Sequence, residues 1–177
     1  MKNIFILLAT GILLSLASCT QPAAPATTTV DNAAISKKAH MLFSENKFDE
    51  VVALAADNIQ VISYAAGQTF NGKDEFRNFM AGFKTAFPDL KINHTNVFED
   101  GKGNVALEFE ATGTHTGPLA GPGGTIPPTG KSVKLFVSET HRIENGKIVA
   151  IHNYQDSGSL MAQLGVLPAP AAPTTSK

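Results

Sequence analysis

Residues 147–156 read Lys-Ile-Val-Ala-Ile-His-Asn-Tyr-Gln-Asp and hold the densest run of side chains able to move protons. In an extended chain the side chains alternate, so Ala150, His152, Tyr154 and Asp156 share one face, and Ile151, Asn153 and Gln155 the other. One face thus gathers an imidazole, a phenol and a carboxylate, each needing a partner once buried. The expectation is that this face lines a pocket and that Asp156, beside the turn Ser157-Gly158-Ser159, transfers the proton. The plain alternative is that Asp156 caps a helix beginning at Ser157, and the two roles are compatible.

Other polar residues point the same way by parity. His115 ends a strand in phase with Leu107 and Phe109, which would bring it to the pocket rim as a donor. Glu139 and His141 share parity with Val133, Leu135 and Val137 and should face inward; His94 and Asn96 do so on an earlier strand, with Leu90, Ile92 and Phe98. Any one of the five histidines is more simply a satisfied or exposed side chain; the functional reading rests on several converging. No His-x-x-x-His or Cys/His spacing signals a metal, and no glycine-rich phosphate cradle or Gly-x-Ser-x-Gly elbow occurs, so no metal and no cofactor is expected.

Positioning such groups needs a sheet with helices on one side. Asp31 is a plausible N-cap for a helix carrying Ile35, Ala39, Leu42 and Phe43, and Phe48, Val51, Val52 and Ala55 give a second, shorter one. Phe76, Phe79, Met80, Phe83 and Phe87 form the stripe of a third, stopped at Pro88, and such a stripe reads as core. Residues 59–64 read as a strand, 67–72 as a turn, and 90–99, 105–116, 131–144 and 147–156 as a meander with turns at Asp100-Gly101 and Asn145-Gly146. The stretch 117–130, rich in glycine and proline, is too long for a tight turn and suits a lid. Helices followed by long antiparallel strands imply an α+β fold, with three helices on one face of a curved antiparallel sheet.

The ends of the chain address it. Met1-Lys2-Asn3, an apolar run over 4–16, and Leu16-Ala17-Ser18-Cys19 predict a lipoprotein signal peptide over 1–18, with the sole cysteine, Cys19, carrying the lipid. Residues 19–30 read as a disordered tether, 31–167 as one domain and 168–177 as a disordered tail. The expected place is the bacterial cell envelope, at the outer membrane facing the periplasm in a two-membrane bacterium, with the membrane reached through Cys19. A net charge of −1 gives no nucleic-acid surface.

Five stretches in order carry a family resemblance: Phe87-Pro88-Asp89-Leu90, Thr112-Gly113-Thr114-His115-Thr116-Gly117, Ile126-Pro127-Pro128-Thr129-Gly130-Lys131, Arg142 to Val149, and Asp156 with Leu160-Met161-Ala162-Gln163-Leu164-Gly165. Together they resemble the SnoaL-like polyketide cyclases, also known as ester cyclases, of the nuclear-transport-factor-two-like superfamily. The resemblance implies a cone-shaped α+β barrel around an apolar pocket and cofactor-free acid/base chemistry, with an intramolecular aldol closure in the type members. It places the base at Asp156, and strand parity adds His115, His141 or His152 as helpers. His94, Asn96, Phe83, Phe109, Glu139 and Tyr154 would contact a small apolar carbonyl compound. Many members carry tryptophan where this chain has His152, and this chain has no tryptophan, which makes its pocket more polar. Two rival readings use the same cone: a non-catalytic ligand-binding lipoprotein, and a structural domain that forms a homodimer through the convex face of the sheet.

Overall fold

The computed structural model describes residues 31–121 and 123–167. The expected signal peptide, the tether with Cys19 and the tail lie outside the described residues. Among those described, no helix is long and apolar enough to cross a membrane.

Helix α1 (Asn32–Ser44) starts where the Asp31 carboxylate accepts a hydrogen bond from the Ala34 amide at 2.7 Å. It stops where Asn46 turns left-handed at φ 61°. Helix α2 (Phe48–Leu54) follows, and then strand β1 (Ala55–Ser63) and the short β2 (Gln68–Asn71), where the sequence suggested only a turn. Helix α3 (Gly72–Ala86) buries Phe76 and Met80, and ends ahead of Pro88, which cannot continue a helix. The meander is β3 (Lys91–Glu99), β4 (Asn104–Thr114), β7 (Ser132–Glu144) and β8 (Lys147–Gln155). A small hairpin, β5 (Leu119–Gly121) with β6 (Gly124–Ile126), occupies the long connection between β4 and β7. Helix α4 (Ser157–Leu164) closes the domain at Gly165, whose φ of 71° gives the left-handed stop.

The main sheet runs β2-β1-β8-β7-β4-β3 and is open, with β2 and β3 as its edges. Only the β1–β8 pair is parallel. The helices pack on the inner face, where Ile59, Val61, Val105, Leu107, Phe109, Val133, Leu135, Val137, Ile148 and Ile151 form the core with Leu42, Val51, Phe76 and Met80. This is the expected α+β cone with its helices over a curved sheet, though the sheet does not close into a barrel.

Two irregularities decide what faces the core. The Asn145-Gly146 turn pairs Glu144 with Lys147 and Ile143 with Ile148. Continued regularly, that register would set His141 against Ala150 and Glu139 against His152, turning the imidazole, phenol and carboxylate face inward. Instead Arg142 pairs with Ala150, and Val149 is left without a partner on β7. This bulge moves the register by one residue, so Ile151 lies opposite His141 and Asn153 opposite Glu139. A second register shift, between His94 and Asn96, keeps His94 toward the core but turns Asn96 and Phe98 out to solvent.

The hairpin is tied at its root. The Thr116 and Gly117 amides both donate to the Ala86 carbonyl at the end of α3, at 3.1 and 3.2 Å. A Cβ on Gly117 would run into the Thr85 carbonyl, so only glycine permits this approach.

Candidate active site

The cone holds two cavities that meet. The inner one, about 90 Å³, is lined by apolar side chains of α1, α3, β4 and β7, among them Phe76, Phe83, Phe109 and Val137. Its polar lining consists of His40, Glu139, His141, Asn153 and Gln155. The outer one, about 490 Å³, lies between α3, α4 and the β5–β6 hairpin. Phe79, Phe83, Gln155 and Leu160 border both, so the two cavities adjoin, and His40, Glu139 and His141 line only the inner one. Among the described residues, Glu139 is the one carboxylate lining either cavity, and no lysine or arginine lines them.

Glu139 is the centre of a buried network. Glu139 and His141 face the same way because they are two apart on β7, and His40 reaches them from α1. His40 Nε2 lies 2.9 Å and His141 Nε2 3.1 Å from Glu139 Oε2, while Asn153 Nδ2 donates to Oε1 at 2.6 Å. Behind His40, its Nδ1 meets His94 Nε2 at 2.9 Å, with the two rings parallel. The Phe109 ring stands edge-on to His40, 4.8 Å between centroids. His141 Nδ1 and Asn153 Oδ1 are buried and without a partner.

The electrostatics follow from burial and these contacts. Burial alone would push the Glu139 carboxyl up, but the hydrogen bonds from His141 and His40 outweigh it and hold the group well below the usual carboxylate range. Burial pushes the His141 imidazole down, opposed only in part by its hydrogen bond to Glu139. His94 is pushed down to about 4, by burial and then by the neighbouring His40. The site therefore joins an ionised carboxylate directly to one imidazole, His141, that resists protonation, deep in an apolar hollow.

The sequence-based residues divide sharply. Glu139, His141, Phe83 and Phe109 line the inner cavity as expected. His94 lines neither cavity and acts on the site through His40. His115 is fully buried but lies at the root of the hairpin, where its Nδ1 accepts from the Thr129 amide at 3.2 Å and its ring packs on Phe87. It reaches neither cavity, because the backbone at 115 and 130 is already bonded back on itself. The bulge turns His152 and Tyr154 to the convex face, where Tyr154 stacks on Tyr64 at 4.4 Å and His152 Nδ1 lies 3.3 Å from the Tyr64 hydroxyl. Asn96 pairs with Glu108 on the outer surface at 2.8 Å. Asp156 is exposed, lines neither cavity and caps α4, accepting from the Ser159 amide at 2.9 Å. The expectation that its carboxyl looks into the hollow is therefore corrected.

Sequence reasoning missed His40, Asn153 and Gln155. His40 was visible in principle, since it falls four residues after the buried Ser36 and three before Phe43 on α1. Asn153 and Gln155 were assigned to the outer face of β8, and only the unpaired Val149 reveals otherwise.

Three comparisons bear on this geometry. The sequence profile described as SnoaL-like polyketide cyclase matches residues 33–164. No curated protein sequence matches the chain. Among solved structures, a candidate SnoaL-like polyketide cyclase from Jannaschia sp. CCS1 superposes with a TM-score of 0.69 at 20% identity, covering 84% of this chain and 99% of that one. AclR, a candidate hydroxylase from Streptomyces galilaeus, gives 0.68 at 23% identity over 80% of this chain and 85% of its own. A protein of ketosteroid isomerase-like fold from Catenulispora acidiphila, solved with trimethylamine, gives 0.63 at 19% identity, over 78% and 97%. At these identities the structures speak to the fold.

Proposed function

The chain belongs to the SnoaL-like polyketide cyclase family, and from that premise we propose that it takes a small, largely apolar carbonyl compound into the cone and performs acid/base chemistry on it. The reaction classes are intramolecular aldol-type closure, isomerisation or hydrolysis. The observation that carries this reading is the single carboxylate at the blind end of the apolar inner cavity, Glu139, joined to His40 and His141. Moving a proton next to a carbonyl needs a base near the carbon and a hydrogen-bond donor near the oxygen. The His40, Glu139 and His141 group supplies the proton-transfer side, with the Asn153 amide bonded to Glu139 and the Gln155 amide at the junction with the outer cavity as groups able to hold a carbonyl. The base role passes from Asp156, which stands outside both cavities, to this group. Attachment to the membrane through lipidated Cys19 belongs to the same proposal, and would present the domain at the surface of the envelope.

Deuterium uptake tests the chemistry without knowledge of the natural product. An apolar bicyclic ketone such as β-tetralone, incubated with the protein in heavy water, should exchange its α-protons faster than in buffer, as followed by proton NMR. Glu139→Gln should return the rate to background, and Asp156→Asn should keep it. Exchange that survives in Glu139→Gln, or vanishes in Asp156→Asn, removes the base from the inner cavity. An outcome in which the ketone binds with tight affinity and no exchange occurs favours the non-catalytic receptacle instead.

A further inference from the structure

The three polar side chains at the blind end have the composition and placement of a metal-ligand set. Two imidazoles and one carboxylate form a common donor set for zinc and for other divalent transition metals. Here His40 Nε2, Glu139 Oε2 and His141 Nε2 all lie within 4.8 Å of one another, and all three residues are buried. The His40–Glu139 and His141–Glu139 separations are 2.9 and 3.1 Å. Bonds of 2.0–2.1 Å at tetrahedral angles put donor atoms roughly 3.3 Å apart, so the two pairs on Glu139 need shifts of only a few tenths of an ångström, and the two imidazole nitrogens, within 4.8 Å of each other, close around the ion by side-chain rotation.

For two of the three ligands, His40 and Glu139, the surroundings are those a bound ion uses, while the far nitrogen of His141 has no partner among the described residues. Metal-ligating groups are aimed by outer partners that occupy their remaining polar atoms. His94 holds the far nitrogen of His40, and the Asn153 amide holds the far oxygen of Glu139. Both contacts leave the near atoms free to converge. The inner cavity opens onto the same three residues, which leaves room for a further ligand from the cavity side.

Charge points the same way. A carboxylate buried in an apolar hollow requires a compensating positive charge, since leaving it uncompensated costs several kcal/mol. No lysine or arginine among the described residues lines either cavity. We propose that His40, Glu139 and His141 bind one divalent transition-metal cation at the floor of the inner cavity, with His94 and Asn153 as positioning residues. The inference shares its location with the function proposed above but does not depend on any substrate.

Metal titration of the full chain, first stripped with a chelator, tests it. Cobalt(II) serves as the probe, because a low-coordinate nitrogen and oxygen site gives it a strong visible absorption; zinc(II) then competes it out. The expected result is saturation at one ion per chain, a raised Tm, and loss of the absorption in Glu139→Gln and His141→Gln, which keep side-chain volume. His94→Gln leaves all three ligands in place and should weaken binding by about 10-fold or more. His152→Ala, on the convex face, should change nothing. Absence of saturable uptake overturns the proposal, as does uptake that persists unchanged in Glu139→Gln and His94→Gln. Ketone exchange by the metal-stripped chain reports separately on the proposed function, so either reading can fail while the other stands.

Discussion

Replacing Glu139 by leucine removes one side chain that three others share. The His40 and His141 N–H groups lose their acceptor on Oε2, and the Asn153 amide loses its acceptor on Oε1. Each buried donor left unpaired costs about 1–3 kcal/mol. Removing a buried carboxylate recovers part of this, because its own desolvation costs several kcal/mol. The net expectation for Glu139→Leu is a loss of about 2–4 kcal/mol, and Glu139→Gln, which keeps one carbonyl acceptor, should lose roughly half as much. Urea unfolding followed by circular dichroism at pH 7, with a chelator present, reads this as a lower midpoint at unchanged slope. The pH dependence gives an independent check. A carboxyl held below its ordinary range contributes stability that is present above its unfolded value, about 4.3, and is lost as the pH falls further. The gap between wild type and Glu139→Gln should therefore narrow as the pH drops below about 4.3. A leucine variant within about 0.5 kcal/mol of wild type would show that the network does not help hold α1, β7 and β8 together.

Further outcomes follow from single contacts. Asp156→Ala should cost about 1 kcal/mol through loss of the α4 cap, measured by thermal unfolding, with ketone exchange unchanged. His94, pushed down to about 4 in the fold, binds its proton more readily when unfolded, so wild type loses stability as the pH falls from about 6.5 toward 4. His94→Gln should flatten that slope in urea midpoints taken at several pH values, leaving the contribution of His141, which has the same sign. Gly117→Ala should lower Tm and raise proteolysis at the β5–β6 hairpin, because the added methyl meets the Thr85 carbonyl and pushes the connection off α3. An overpacked contact of this kind costs about 1–3 kcal/mol.

Most of the architecture was legible because periodicity and punctuation agree. Asp31, Pro88, Asn145-Gly146 and Gly165 mark element ends where the structure has them, and the aromatic stripe of α3 lies on the core. The inward phase of β7 was equally plain, since Val133, Leu135 and Val137 set the parity that Glu139 and His141 inherit. What escaped was non-local. His40 and Glu139 come together only because α1 packs over β3 and β4 and its His40 side chain reaches on to β7, which no spacing within either segment records. The face of β8 was misread for a different reason. Three groups able to move protons on one face suggested a pocket lining, but Tyr64, Tyr154 and His152 meet one another on the outside. Side-chain chemistry suggested one face, and the backbone register chose the other.

The unpaired Val149 carries a lesson about comparing chains of this shape. It acts as a spacer upstream of every side chain that β8 contributes to the hollow. A relative of the same length whose strand paired regularly from the turn would offer the ligand an imidazole and a phenol, where this protein offers Asn153 and Gln155. Pairing here outranks identity: two sequences matched letter for letter over 147–156 can still show opposite linings. Transferring a role onto this strand therefore requires knowing whether the bulge is present before comparing residue types.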